Sequence, residues 1–582
     1  MDLRKEWKLT CAVAVAVVFL LPSAAIPQQA AWTDAGPTSA IDLAGNRDQT
    51  IEQLVRSFYK QRESIAAWLS SDGEISRQAW SLIETLRGSD RDGLEPAAYD
   101  PDALEHALHR FQDDPSFTPA DAGRLDMQIT RTCFRFALDM LRGRVEPATI
   151  DRGWEVQPRA ADLVAELSRS LQHRRVRETL LALAPSHPEY RQLREALARY
   201  RDLARQEWPL VVGGPSFEES KSYDLERVRA LERRLQIEGY LVRPGLLTRA
   251  LSKVGIFGEE ANEETLYDAR LAEAVRRFQD THGILEDGVV GPQTLAELNR
   301  SPEEIVRRIE LNMERWRWLP ADLGARHVRV NVPAFELGLY EDGRKTLEMK
   351  IVVGRASWGT PLFSDRIEYI VLNPYWNVPK SITAEELQPK IAEDPTFLEV
   401  NEYEVVDGHG DDAPVVDPYE IDWSEAANED FPYRLRRRPG ANNPLGRIKF
   451  MLPNRQNVYL HDTSQSELFD RTDRAFSHGC IRLERPIDLA LELFRGDAKW
   501  NRTRFESELS RGEEQAVRLP QPVPVHMLYW TAFVNPAGEL ETHQDIYEID
   551  VRLDAALATH GCASVVGPSA RDRLPSDRPA CY

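Results

Sequence analysis

Basic charge is what this chain has too little of. Its 582 residues carry 73 lysines and arginines against 94 aspartates and glutamates, a formal net charge of −21. A general nucleic-acid binder needs a basic face, so that class is excluded. The acidity itself speaks for solubility and leaves the substrate open. Cysteine is scarce, five in all, and no C-x-x-C or H-E-x-x-H pair is present, which argues against a zinc site. No apolar segment beyond the N-terminus has the ~20 residues that a spanning helix takes. Collagenous, coiled-coil and broadly disordered biases are missing as well. What remains is an ordinary globular composition, too long for one core, so roughly two to four domains are expected.

The N-terminus is informative. Arg4, Lys5 and Lys8 precede an apolar run from Cys11 to Leu21, and Ser23-Ala24-Ala25 supplies small residues for cleavage. Positive start, short apolar run and small-residue site read as a secretory signal over residues 1–25; a retained membrane anchor is the alternative. Export places the remaining Cys133, Cys480, Cys562 and Cys581 in an oxidising compartment. Cys562 and Cys581 are close together in the C-terminal tail and could pair, which would leave Cys480 a free thiol.

Residues 26–45 are small and polar, a linker. From Thr50 to Trp208 the pattern is helical, with Leu193, Leu197, Tyr200 and Ala204 on one apolar stripe. No catalytic grouping stands out there: Cys133, beside Phe134 and Phe136, reads as a buried structural cysteine, and His187, before Pro188, as a loop residue. Residues 46–220 are therefore expected to form a helical scaffold. Residues 221–302 form a smaller unit, in which Val228, Leu231 and Leu235 line one helix and Leu271, Val275 and Phe278 another; Pro292 opens a third. Gln236, Phe278 and Gln279 read as packing and capping residues.

Beyond Pro302 a helix precedes a switch to period 2. From about Arg326, VRVNVPAFELGLY, LEMKIVVG and RIEYIVLNP read as strands of a β-rich domain, residues 303–558, with its core at about 326–505. A segment from Ser381 to Leu445 interrupts it. Long insertions of this kind are usually functional, often lids. Its Asp407, His409, Asp411 and Asp412 lack the ligand spacing of a known metal class, so a solvated acidic loop is expected. Arg434, Arg436, Arg437 and Arg438 form a local basic patch that suits either an acidic substrate or solvent. Residues 517–550 read as a hairpin added to the same sheet, turning at Asn535-Pro536-Ala537-Gly538; residues 559–582 read as a tail without a fold element.

The chemistry concentrates between Val458 and Leu483. His461 and Tyr459 share one strand face by alternation; Ser477-His478-Gly479-Cys480 follows fifteen residues later, and Arg482 closes the run. A cysteine attacks carbonyls as thiolate and needs a base or a positive field. His461 is the candidate general base. Asp462 points to the opposite face, so a backbone carbonyl is the expected holder of the second imidazole nitrogen. The N–H groups of Gly479 and Cys480 are the natural oxyanion donors; His478 lines the site, and Arg482 steadies either a substrate carboxylate or the loop. Thr559-His560-Gly561-Cys562 repeats the triplet without an upstream strand histidine. The triplet alone is thus weak, and His461 makes the first site specific.

His461, the spacer, Ser-His-Gly-Cys and Arg482 resemble the signature of the L,D-transpeptidases with a YkuD-type catalytic domain. NMERWRWLP, VNVPAFEL, NPYWNVPKSI, NPLGRIKFMLPN, VYLHDT and PVHMLYWTAFV extend the resemblance to the large multidomain members. LERRLQIEGYL and AVRRFQDTHGILEDGVVGPQTLAEL resemble the peptidoglycan-binding domain family. The resemblance implies a multidomain α+β architecture: helical scaffold, small three-helix peptidoglycan-binding domain, and β-rich catalytic domain with a capping insertion at 381–445. It implies a periplasmic cysteine acyltransferase that forms 3→3 cross-links between stem peptides through a Cys480 thioester, releasing D-alanine. Cys480 carries over as nucleophile, His461 as general base and acid, and Gly479 as oxyanion donor. His478 and Arg482 are supporting residues, and Tyr459 and Ser477 are substrate-binding ones. No cofactor and no metal is implied. Expected partners are peptidoglycan stem peptides and glycan, with other cell-wall synthesis proteins and the membrane at the N-terminus as further ones, and no nucleic acid. The rival activities are an L,D-carboxypeptidase, a transferase using a protein amine, and a non-catalytic wall-binding protein; the complete motif opposes the last.

Overall fold

The computed structural model describes residues 46–69, 74–151, 153–154, 157–242, 264–394, 396–408, 413–426 and 431–565, with side chains to residue 559. The signal or anchor, the linker, His409, Asp411, Asp412 and any Cys562–Cys581 pairing lie outside the described residues. Residues 1–53 separate as one unit, of which the start of the Arg47–Gln61 helix is described; everything below concerns the second unit, Leu54–Tyr582. No helix among the described residues is long and apolar enough to cross a membrane.

The helical region is built on capped helices. Thr118 and Asp121 form a reciprocal capping box that opens the long Pro119–Arg142 helix, with Pro119 in its first turn. Asp126 on that helix accepts hydrogen bonds from the Trp68 and Leu69 backbone N–H groups at 2.8 and 3.0 Å, pinning the preceding loop. Cys133 is free and buried, and burial pushes its thiol up to about 12; it is inert.

In the next module Asp224 and Asp268 cap the Leu225–Glu238 and Ala269–Thr281 helices by accepting from Arg227 N and Leu271 N, each at 2.9 Å. Strands β1 (Ser222–Asp224) and β2 (Glu264–Leu266) pair antiparallel beside them. Phe278 is buried. Gln279 bonds Asp287, Val289 and Thr294 through its amide nitrogen and accepts from Gly288 N, so it fixes the turn before the Pro292–Leu298 helix.

The Pro302–Trp318 helix joins the helical region to the β-domain with polar side chains that are buried. Glu314 accepts from the Arg144 and Val145 N–H groups and from Arg317. Arg317 also reaches the Asp92 carbonyl and the Tyr190 hydroxyl. On the other side Arg315 pairs with Asp550 at 2.5 Å, and Asn312 Oδ1 accepts from Thr531 N at 3.0 Å. Breaking such a buried pair by removing one partner costs about 3–5 kcal/mol.

The β-domain comprises β3 (Arg326–Asn331), β4 (Glu336–Glu341), β5 (Arg344–Gly354), β6 (Ser364–Leu372), β7 (Trp376–Asn377), β8 (Tyr403–Asp407), β9 (Val415–Val416), β10 (Tyr433–Arg437), β11 (Ile448–Met451), β12 (Leu460–His461), β13 (Ala475–Ser477), β14 (Ile481–Leu483), β15 (Gln515–Leu528), β16 (Ala532–Val534) and β17 (Leu540–Thr542). The main sheet runs β13-β5-β14-β12-β11-β6-β15-β3-β4, and β4 pairs again with β5, so the ladder closes into a ring. Inward residues such as Val328, Leu339, Ile351, Ile370, Leu460, Ile481 and Met527 fill a single apolar core. The expected single-sheet hairpin at 517–550 divides instead. β15 lies inside the ring between β6 and β3, whereas β16 and β17 pair only with each other. Nor is the stretch from Thr559 irregular at its start, because the Ile549–Val565 helix continues into it as far as Val565.

The insertion folds on its own terms. β7, β10, β8 and β9 form a separate four-stranded sheet over a small core that includes Ile382, Leu387, Leu398, Val405 and Leu435. Its basic patch is largely absorbed: Arg436 and Arg438 both pair with Glu404, and Arg437 lies over Tyr403.

Candidate active site

The sheet register assembles the site. β12 and β14 run parallel with Leu460 opposite Ile481 and His461 opposite Arg482, which sets Cys480 beside Tyr459. The apolar Leu460, Ile481 and Leu483 face the core, so alternation sends Tyr459, His461, Cys480 and Arg482 to the outer face together. The antiparallel neighbour β11 adds Lys449, directly opposite His461. Asn454 fixes the turn that leads in, accepting from Val458 N at 3.1 Å and donating to the Val458 carbonyl at 2.6 Å.

His461 is buried, and its Nδ1 bonds the Asp462 backbone carbonyl at 2.5 Å. That bond fixes the tautomer and leaves Nε2 as the proton acceptor. The Asp462 carboxylate is turned elsewhere, accepting from Arg447 N and Thr463 N at 2.8 Å each. Burial pushes His461 down to about 3, with the charges of Arg482 and Lys449 adding to the shift and the Asp462 carbonyl opposing it. The imidazole is therefore neutral at physiological pH.

The Cys480 thiol is pushed up by burial and pulled back by Tyr459, through both backbone and phenol, and by the cations Lys449 and Arg482. Tyr459 is thus a direct neighbour of the sulfur; its ring stands 5.8 Å from the His461 ring and carries the Lys449 ammonium 3.7 Å above its face. Arg482 donates to Gln465 at 2.6 Å while remaining within electrostatic reach of both catalytic candidates.

The cysteine loop is internally braced. Gly479 has φ +109°, a left-handed conformation that favours glycine. Ser477 Oγ donates to the Cys480 carbonyl at 2.5 Å and accepts from Gly479 N–H at 3.1 Å. This revises two expectations: Ser477 serves the loop, and Gly479 N–H is already committed to it, so Gly479 could act as an oxyanion donor only after releasing Ser477. Thr360 clamps the loop from outside, donating to the Gly479 carbonyl and accepting from Gly354 N, both at 2.9 Å; Tyr547 donates to the Gly354 carbonyl at 2.5 Å.

His478 turns away from the sulfur towards the insertion. Its Nε2 lies 2.6 Å from Glu386, which the inserted subdomain supplies, and 3.1 Å from Arg355; Trp358 packs edge-on against the ring. Burial alone would raise Glu386, but the His478 hydrogen bond and the charges of His478, Arg355 and Lys390 hold its carboxyl below the usual range. The cap is latched to the residue two before the nucleophile. Sequence reasoning missed Lys449, Glu386, Arg355, Thr360 and Tyr547. Only Lys449 carried a local signal, as a lysine alternating with the apolar Ile448 and Phe450 on either side. Among the described residues no group of His, Cys, Asp or Glu is arranged to hold a metal ion.

Three family models match the chain: a scaffold domain over residues 53–197, a putative peptidoglycan binding domain over residues 224–298, and an L,D-transpeptidase catalytic domain, YkuD, over residues 325–498. A Haemophilus influenzae protein named "Putative L,D-transpeptidase" is 34% identical over 252 residues, 43% of this chain and 50% of the relative. The match thus spans about half the length of that curated relative. Among solved structures, an L,D-transpeptidase from Xylanimonas cellulosilytica aligns at 16% identity, TM-score 0.18, over 55% of this chain and 100% of its own. One from Stackebrandtia nassauensis aligns at 11%, TM-score 0.18, over 55% and 97%. Overlaps this loose add nothing to the geometry above.

Proposed function

We propose that this chain, which carries a YkuD L,D-transpeptidase catalytic domain with a peptidoglycan-binding domain and a scaffold domain, forms 3→3 cross-links between peptidoglycan stem peptides from an exported, periplasmic position. In the reaction, Cys480 attacks the carbonyl of the third stem residue as His461 Nε2 takes the thiol proton. The amide C–N bond breaks, D-alanine leaves with that proton, and a thioester remains on Cys480. The side-chain amine of a second stem then attacks the thioester, gives a proton to His461 and expels the thiolate. Tyr459, Lys449 and Arg482 stabilise the sulfur as an anion in both halves. The Cys480 N–H is the remaining loop amide that can serve the oxyanion.

The observation that carries the reading is the shared outer face of Tyr459, His461, Cys480 and Lys449, with the imidazole oriented by a carbonyl and uncharged. The export half rests on the charged, apolar and small-residue pattern of residues 1–25. Purified tetrapeptide stems test the chemistry. The native chain should release D-alanine and yield cross-linked dimers, Cys480→Ala should yield none, and Cys562→Ala should match the native chain. A carbapenem should leave one covalent adduct, on Cys480, by intact-protein mass spectrometry. Full cross-linking by Cys480→Ala would end the proposal. Shortened stems without dimers, in the presence of acceptor stems, would replace it with hydrolysis.

A further inference from the structure

Away from the thiol, a cavity of about 1190 Å³ lies among three parts of the chain. The start of the Pro188–Leu203 helix and Asp280 form one side; the outward faces of β3, β4 and β5 and the β16–β17 hairpin form the other. The volume exceeds the usual small-ligand range of roughly 300–1,000 Å³, which suits an extended ligand. Its walls are aromatic. Trp316 stacks on Trp530 with centroids 4.5 Å apart, Phe533 stacks on His543 at 5.4 Å, and Arg329 lies over Tyr340 at 4.0 Å.

The same lining sets Glu189, Asp280, Asp322, Glu336, Glu348 and Glu541 against two full cations, Arg329 and Lys345. Both cations are already paired, Arg329 with Glu189 and Lys345 with Glu336 and Glu348, each at 2.7 Å. Such a wall repels polyanions and offers acceptors to hydroxyls. Flat rings and acceptor carboxylates together recognise a neutral sugar chain bearing hydroxyl and amide groups.

We propose that this cavity is a glycan site, which holds an N-acetylated oligosaccharide strand while its stems are presented to Cys480. The source of that strand rests on the transpeptidase reading above. β5 links the two sites: Lys345 and Glu348 line the cavity, and Val352 pairs with Arg482 in the catalytic face. From Glu348 to Gly354 the strand covers roughly 20 Å at ~3.3 Å per residue. An extended four-residue stem reaches roughly 14 Å. A strand in the cavity therefore lies within about one to two stem lengths of the thiol.

The test is calorimetric titration of the full chain carrying Cys480→Ala with chitohexaose, a β-1,4 N-acetylglucosamine hexamer. Binding is expected, weakened tenfold or more by Tyr340→Ala and several-fold by the near-isosteric Glu541→Gln, which spares the fold if the tyrosine variant does not. No binding at millimolar sugar overturns the proposal, as does binding that neither substitution changes, since the sugar then sits elsewhere. Carbapenem acylation of the native chain is read in parallel. Its failure counts against the transpeptidase reading alone. Normal acylation with no chitohexaose binding removes the cavity and leaves that reading standing.

Discussion

The protonation state of the Cys480–His461 pair can be tested directly by the pH dependence of thiol alkylation. With His461 pushed down to about 3 and the Cys480 thiol pushed up by burial, the resting pair is a neutral thiol and a neutral imidazole. Even at its ordinary value of about 8.5, a thiol is only about 3% ionised at pH 7. Iodoacetamide reacts with the thiolate, so its rate on Cys480 should climb about tenfold per pH unit, roughly 100-fold from pH 6 to pH 8. Peptide mass spectrometry in a Cys562→Ala/Cys581→Ala background isolates the signal, because Cys133 is buried and inert. Lys449→Met should displace the profile to higher pH. The ammonium sits 3.7 Å above the ring whose hydroxyl bonds the sulfur; adding the half-width of a phenol and an ordinary hydrogen bond puts it roughly 7 Å from the charge it stabilises. Two unit charges at that distance interact by about 2 kcal/mol at an effective dielectric of 20; solvent on this half-buried side chain trims the expected loss in rate at pH 7 to about tenfold. A flat rate between pH 6 and pH 8 would mean a preformed thiolate–imidazolium pair, and would refute the desolvation reasoning outright.

Three further outcomes are expected. Unfolded His461 takes a proton near 6.5, whereas the folded residue resists until about 3; stability from this group is therefore complete above pH 6.5 and falls as pH drops. About 2 kcal/mol should be lost between pH 7.5 and pH 5, and urea unfolding of His461→Gln should show that much less acid sensitivity. Gly479→Ala meets only ordinary contacts at 3.7 Å, so its cost is the left-handed backbone, about 1–3 kcal/mol; D-alanine release should fall tenfold or more, and the melting temperature should drop by roughly 2–10 °C. Glu386→Ala removes the latch between the insertion and His478. Partly exposed pairs contribute about 1 kcal/mol at most, so alkylation of Cys480 should speed up by no more than about fivefold, and a 100-fold gain would mean that the cap is held by this contact alone.

The strand of the candidate site was legible because its information is local. Period-2 alternation set Tyr459 and His461 on one face, and Gly479 marked the turn before Cys480. The carbonyl that holds His461 could be reasoned from the same alternation, which directs Asp462 elsewhere. Groups supplied by distant strands and the insertion carry no such local mark. Lys449 acquires its meaning only from the β11–β12 register, Glu386 only when the insertion folds back, and Tyr547 only when the chain returns to Gly354. The ring was equally hidden, since pairing Val525 with Val328 depends on which edge β15 finds. For the same reason the 532–542 hairpin read as part of the main sheet, because alternation does not say which strand lies beside which.

Closure of the ring also sets the order in which this protein can be completed. Every strand residue of the thiol site has left the ribosome by Leu483, yet β15, which bridges β6 and β3, ends only at Leu528. Until then those two strands present bare hydrogen-bonding edges, the surface on which partly made β-proteins associate with one another. Premature termination anywhere between Leu483 and Leu528 should therefore yield chains that own the whole thiol motif but aggregate instead of turning over substrate. Pairings across nearly two hundred residues also make a slow final folding step. The last strand of the ring to be synthesised is the one that makes the earlier strands of the thiol site a stable surface.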